Sequence, residues 1–314
     1  MHFKPIVFFF CFLLLSACTS STRSVVNTIE NQKPQVSPSI AQAKQKHLKR
    51  VVAIGRFSDE TKRGNSFWID SNNNRIGKQA SDILSSRLTE SGKFMMLERT
   101  DIDILNSETN LNGEQLSVVG ADFIILGSVS EYGRSTTSDV GIFSRNKKQT
   151  ATVTVNVRLV NTKTSQVVYS EEATGEAIIE ANAVFGVGEK AGYDSSLDDK
   201  ALSAAISKLV SNIMENLLDA PWQAYILSSQ DSQYLMSGGQ EQGIKLGDKF
   251  QVLSKGKRIK NPQTGGFVEL PGKQIATIKI VGFVGTGSNA LSVASLESGA
   301  IGIANLKDYV VREL

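Results

Sequence analysis

Histidine and cysteine are nearly missing. The 314 residues hold two of each, His2, His47, Cys11 and Cys18, so residues 48–314 contain neither type. That excludes a Ser/His/Asp triad, a His-Glu-x-x-His zinc helix, a Cys/His metal site and any disulfide framework from the bulk of the chain. No phosphate-binding loop takes their place. Gly186-Val187-Gly188-Glu189-Lys190-Ala191-Gly192 fits neither GxGxxG nor Walker A spacing and reads as a turn. Glu171-Glu172 and Asp198-Asp199 are adjacent acidic pairs, for which a solvated face is the default reading. The expectation is a protein that is not an enzyme, with no catalytic residue, no metal and no cofactor.

Net charge is low as well. Thirty-four Lys and Arg against 31 Asp and Glu leave +3. No basic block exceeds Arg145-Asn146-Lys147-Lys148, so nucleic acid is not an expected partner. Beyond the first 17 residues no apolar run approaches the roughly 20 residues of a spanning helix. Any later membrane crossing has to be made by β-strands.

What is present begins at the N-terminus. Met1-His2-Phe3-Lys4 is basic, and residues 5–15 are apolar but short for a bilayer span. Small residues and Cys18 follow. Residues 1–17 read as a secretory signal peptide. Leu15-Ser16-Ala17-Cys18 resembles a bacterial lipobox, which implies a lipidated Cys18 as the mature N-terminus. Ordinary cleavage near Ala17 or a signal anchor is the alternative. Cys11 would be lost with the signal, leaving one acylated cysteine. Several acyl chains make such an anchor effectively permanent, at about 0.8 kcal/mol per buried CH₂. Thr19 rather than Asp follows the cysteine, which by analogy with enterobacterial sorting favours the outer membrane. Residues 18–47 are polar and aperiodic and read as a flexible tether.

Residues 48–218 alternate strands and helices. Residues 49–57 and 94–97 read as strands. Ile76, Ala80, Ile83, Leu84 and Leu88 have helical spacing. Thr100 with Asp101 and Asp103 caps a helix to about Ser107, and residues 112–119 read as a second short helix. Residues 123–126 are a buried strand. Val153, Val155, Val157 and Leu159 alternate with Thr152, Thr154, Asn156 and Arg158, a strand with one buried face. A turn at Asn161-Thr162-Lys163-Thr164 leads to a further strand from Gln166. Leu202, Ala205, Ile206, Leu209, Ile213 and Leu217 mark a helix that starts at Asp198 or Asp199 and is ended by Pro221. The fold class is α/β: a sandwich of helices on a sheet. Residues 133–153 and 173–197 form two excursions. The second alternates Ala173, Gly175, Ala177, Ile179, Ala181, Ala183, Phe185 and Val187 with mostly polar neighbours over the length of a membrane strand. The two are either strands of an oligomeric transmembrane β-barrel or ordinary periplasmic hairpins.

GADFIILGSVSEY, VTVNVRLVNTKTSQVVYS, TGEA and GYDSSLDDKALSAAISKLVSNI, together with VVAIGRFSDET, resemble the CsgG family of outer-membrane lipoproteins that form the curli secretion channel. The resemblance covers roughly residues 48–218. It implies a homo-oligomeric channel at the outer membrane, anchored in its lipid, that exports a fibre or adhesin polypeptide. It also implies that the long loop at residues 58–75 lines a pore constriction. Counted without gaps, Phe67 falls on that family's inward tyrosine, beside Trp68. Ser71 and Asn72 fall on its Asn-Phe pair and do not match it. The alternative is that Phe67 and Trp68 pack over the sheet edge. A lipid-tethered periplasmic scaffold without a pore is the competing function.

Residues 219–314 are Gly-rich with short β runs at 224–228, 249–253, 274–281 and 290–295, the pattern of a small antiparallel barrel. GIKLGD, NPQTG and SGAIGIANL resemble the SH3-like C-terminal domain of flagellar T-ring assembly proteins.

Overall fold

The computed structural model describes residues 48–61, 75–113, 115–116, 118–140, 144–184, 187–188, 196–260, 262–263 and 267–314. It is mixed α/β with strands predominating. Strand β1 (Arg50–Asp59) leads to helix α1 (Arg75–Glu90) and strand β2 (Phe94–Leu97), which pairs parallel to β1. This is a βαβ unit, the connection that parallel strands require. Helix α2 (Ile102–Leu111) follows and buries none of its residues. Three strands of 18 residues each come next: β3 (Phe123–Val140), β4 (Ser144–Asn161) and β5 (Val167–Val184). A two-residue β6 (Val187–Gly188) pairs with the end of β5, and helix α3 (Ser196–Asp219) closes the unit. The sheet order is β2-β1-β3-β4-β5-β6, parallel around β1 and antiparallel from β3 onward.

Both α1 and α3 cover one face. Ala151, Val153, Val155, Val157 and Leu159 of β4 are all at most 1% exposed and face that layer. Helix α3 meets them with Leu197, Ala201, Leu202, Ala205, Ile206, Leu209, Val210, Ile213, Met214 and Leu217. A fully buried side chain of this size contributes about 1.5–3 kcal/mol, so this seam dominates the first core. Arg87 of α1 donates to the hydroxyls of Ser203, 2.6 Å away, and Ser207, joining the two helices side by side.

The second sheet takes strands β7 (Ile226–Gln230), β8 (Gln233–Ser237), β9 (Lys249–Ser254), β12 (Lys273–Val284), β13 (Leu291–Gly299) and β14 (Tyr309–Glu313). Their order is β14-β9-β12-β13-β8-β7, all antiparallel. A separate ribbon pairs β10 (Arg258–Lys260) with β11 (Phe267–Glu269). The two outer strands are drawn together by Ala224 and Val311, which exchange N–H···O bonds of 2.9 and 2.8 Å. The sheet therefore curls around its own core of Trp222, Met236, Phe250, Val252, Ile278 and Ile280. Leu48, ahead of β1, is buried in this second core rather than the first.

Two expectations change. The described residues between Asn112 and Val119 are not helical. Gly113 sits at φ +74, a left-handed position that ends α2 instead of opening a new helix. The polar stretch after Leu126, read as following a short strand, continues β3 itself to Val140, held in register by β4.

Candidate functional site

Past the N-terminal end of α3 the three long strands continue together. Register pairs Arg134 with Ala151 and runs outward to Val140 opposite Arg145, while β5 keeps pace to Val184 opposite Ser144. Six residues of β3, 135–140, therefore project beyond this point. At about 3.4 Å per residue that is an arm of about 20 Å. The polar sequence stays a strand because each rung is hydrogen-bonded to β4. Ser135, Thr136, Thr137 and Ser138 are exposed, and Lys148 reaches Glu180 across the β4–β5 rung at 3.5 Å, both half exposed.

The root of the arm is a polar cluster. Arg134 Nη1 lies 3.4 Å from Asp198 Oδ1, and its Nη2 donates to Gln149 Oε1 at 2.8 Å. Gln149 is buried, and the side chains of Arg134 and Asp198 are 14% and 18% exposed. Asp198 stands in the first turn of α3, where a carboxylate also meets the positive end of the helix dipole. Asp198 is thus not the solvated acid expected of it. Glu171 is not one either: its carboxylate accepts from the Tyr169 hydroxyl and, at 2.8 Å, from Asn212 Nδ2.

Farther along the seam β5 and α3 approach at Gly175. A Cβ there would lie 2.1 Å from Ala201 O and 2.3 Å from Ala205 N. An isolated glycine in a strand is the sequence mark of such close backbone approach. Arg134, Gln149 and Asp198 left no mark of that kind.

Cys18, Phe67, Trp68, Ser71 and Asn72 all lie outside the described residues, as does most of the loop between β1 and α1. Among the described residues no group of three or more His, Cys, Asp and Glu is placed to hold a metal ion. No described helix is long and apolar enough to cross a membrane, which says nothing of crossing by strands.

A Neisseria meningitidis serogroup B protein, named by inference as lipoprotein NMB1126/NMB1164, is 31% identical over 179 residues, 56% of this chain and 80% of that protein. Among solved structures, lipoprotein GNA1162 of N. meningitidis is 16% identical over 55% of this chain and 99% of its own, with a TM-score of 0.27. The PelC dodecamer of Paraburkholderia phytofirmans is 12% identical over 54% and 88%, with a TM-score of 0.24. Scores this low give neither structure weight on function. The family model described as curli production assembly/transport component CsgG matches residues 33–247, more than half the chain, and the protein belongs to that family.

Proposed function

We propose that this protein is a lipid-anchored component at the periplasmic face of the outer membrane, acting as a homo-oligomer in the assembly or export of a surface polypeptide. In this reading residues 1–17 are the signal peptide and Cys18 carries the lipid. Residues 18–47 are the tether, 48–218 the family domain and 219–314 an SH3-like module. Family membership supports the assembly or transport role.

The chemistry of the β3–β5 arm supports a scaffold form of that role. A membrane strand needs about 9–11 residues with one lipid-facing apolar side. Six rungs project, and on them Ser135, Thr136, Thr137, Ser138 and Lys148 are exposed, while Gln149 and Ile179, on the Thr136 rung, stay buried, Ile179 within the first core. Such an arm suits a tethered scaffold that docks onto other envelope proteins. The second reading is the exporting channel, favoured by the family's transport description. In it Phe67, Trp68, Ser71 and Asn72 would line the constriction and grip extended polypeptide.

Carbonate extraction of a Cys18→Ala variant separates the two. A tethered scaffold is released into the soluble fraction, whereas a chain held by strands stays in the membrane. Planar-bilayer conductance of the purified native protein is the second measurement, and discrete channel openings would overturn the scaffold form. Cys18→Ser should abolish incorporation of radioactive palmitate; retained labelling would show that the anchor lies elsewhere.

A further inference from the structure

Strand β1 is flanked on both sides by parallel neighbours, β2 and β3, reached by chain connections that leave in opposite directions. In open α/β sheets the crevice at the carboxyl ends of strands at such a reversal is where small ligands bind. The present chain has a cavity of about 450 Å³ next to that point, at the carboxyl ends of β1 and β2 and beside α1 rather than between β1 and β3. It lies where β1 approaches its end, where β2 has just finished and where α1 begins. A volume of this size is within the usual range for small-molecule sites, about 300–1,000 Å³.

Its lining is one-sided in charge. Gly55 and the buried ring of Phe57 supply apolar wall, and Arg56, Arg75, Lys78 and Arg99 supply four cations; none of the lining residues is acidic. Two of the four are already engaged. Lys78 pairs with Asp101 at 3.1 Å and also faces Asp82 and Glu98, the last accepting the N–H of the lining residue Thr100, while Arg99 donates to the carbonyl oxygen of Val119. Arg56 and Arg75 are exposed and make no hydrogen bond or ion pair among the described residues. The first turn of α1 holds no acid that would offset them. Like charges gathered on one cavity repel each other, and an anion at its centre relieves that repulsion. Guanidinium groups match the flat fork of a carboxylate or the oxygens of a phosphate, and their hydrogen bonds to such groups are charge-assisted.

We infer that this cavity binds a small anionic amphiphile: a phosphate or carboxylate held by Arg56 and Arg75, carried on an apolar body that rests against Gly55 and Phe57. The site is separate from the β3–β5 arm, and the inference holds for either form of the proposed function.

Isothermal titration calorimetry on the full-length lipidated protein in nonionic detergent tests it. The probes are phenyl phosphate, benzoate, inorganic phosphate and the neutral benzyl alcohol. Phenyl phosphate or benzoate should saturate one site per chain, and the tighter of the two identifies the acid. Inorganic phosphate and benzyl alcohol should each bind about tenfold or more weakly, since each lacks one half of the recognition. Arg56→Gln and Arg75→Gln, both at exposed positions, should each weaken the preferred acid about tenfold, and Lys257→Gln, in the connection between β9 and β10, should leave it unchanged. Circular dichroism checks that the variants stay folded. Absence of saturable binding by both aromatic acids, equal binding of benzyl alcohol, or unchanged affinity in the Arg56→Gln/Arg75→Gln double variant would each overturn the site.

Discussion

Arg50, the first residue of β1, donates its Nη2 to the carbonyl oxygens of Leu218, 2.9 Å away, and of Ala220. These carbonyls are among the unpaired acceptors at the C-terminal end of α3, where a cation also meets the negative end of the helix dipole. Arg50 is 5% exposed and lines a cleft of about 740 Å³ between the two sheets. Burial pulls its pKa below the ordinary value, and Glu313, Asp122 and Asp219 pull it back up. One side chain thus fixes the start of the first sheet to the exit from its last helix, immediately before the chain enters the second core. Arg50→Met keeps much of the stem but strands both carbonyls. We expect a loss of about 1–3 kcal/mol in urea unfolding, with Arg50→Lys in between.

Gly175 makes the sharpest steric prediction. A methyl group there has to displace the backbone of α3 at Ala201 and Ala205, not a flexible side chain. Gly175→Ala should cost about 1–3 kcal/mol, and Gly175→Val more. Gly133 in β3 is the internal control, because an added Cβ meets nothing within 4 Å. Gly133→Ala should leave the melting temperature unchanged or slightly raised. Equal effects at the two glycines would mean that α3 does not approach β5 as closely as described.

These two glycines also show how far the sequence could be read. The alternation in β4 and the apolar stripe of α3 were legible because one face of each is buried, and burial writes a period into the residues. The outer half of β3 had no such mark. SEYGRSTTSDV is polar on both sides, and only its register with β4 makes it a strand. A bulge near Ser130 hides the pattern further: Val129 pairs with Val155 and Tyr132 with Val153, so the core parity shifts in mid-strand. The Arg134–Asp198 pair joins residues 64 positions apart, a distance over which no local pattern operates. In the second sheet β14 was not anticipated, because YVVRE is short and becomes a strand by pairing with β9 and meeting Ala224.

The root of the arm can be probed at that same pair. Arg134→Gln removes the cation facing Asp198 and disturbs the bond to buried Gln149. In a double-mutant cycle with Asp198→Asn, the coupling should be about 1–2 kcal/mol, above the usual value for an exposed pair. Hydrogen exchange should speed up in residues 134–138 and 147–151 before it does at Val155 or Val157. Uniform acceleration across β4 would show instead that the pair supports the whole sheet.

Tyr169 supplies the pH dependence. Its ring packs against the first core and its hydroxyl donates to Glu171. Burial, followed by that hydrogen bond and the nearby carboxylate charge, raises its ionisation well above the ordinary tyrosine range, while Asn212 acts in the opposite sense. An unfolded tyrosine releases its proton near pH 10. Above that point the folded chain keeps a proton that the unfolded chain has lost, so the folded state binds more protons and its stability must fall as pH rises. Below it both states hold the proton, and the contribution is fully present. Tyr169→Phe removes this dependence, and its unfolding free energy should decline less steeply than that of the native protein at pH values above about 10. In the folded protein, phenolate absorbance should show one tyrosine fewer titrating with the exposed set. If Tyr169→Phe left the alkaline slope unchanged, or removed one tyrosine from the exposed titrating set, the Tyr169–Glu171 bond would not be holding the proton in solution.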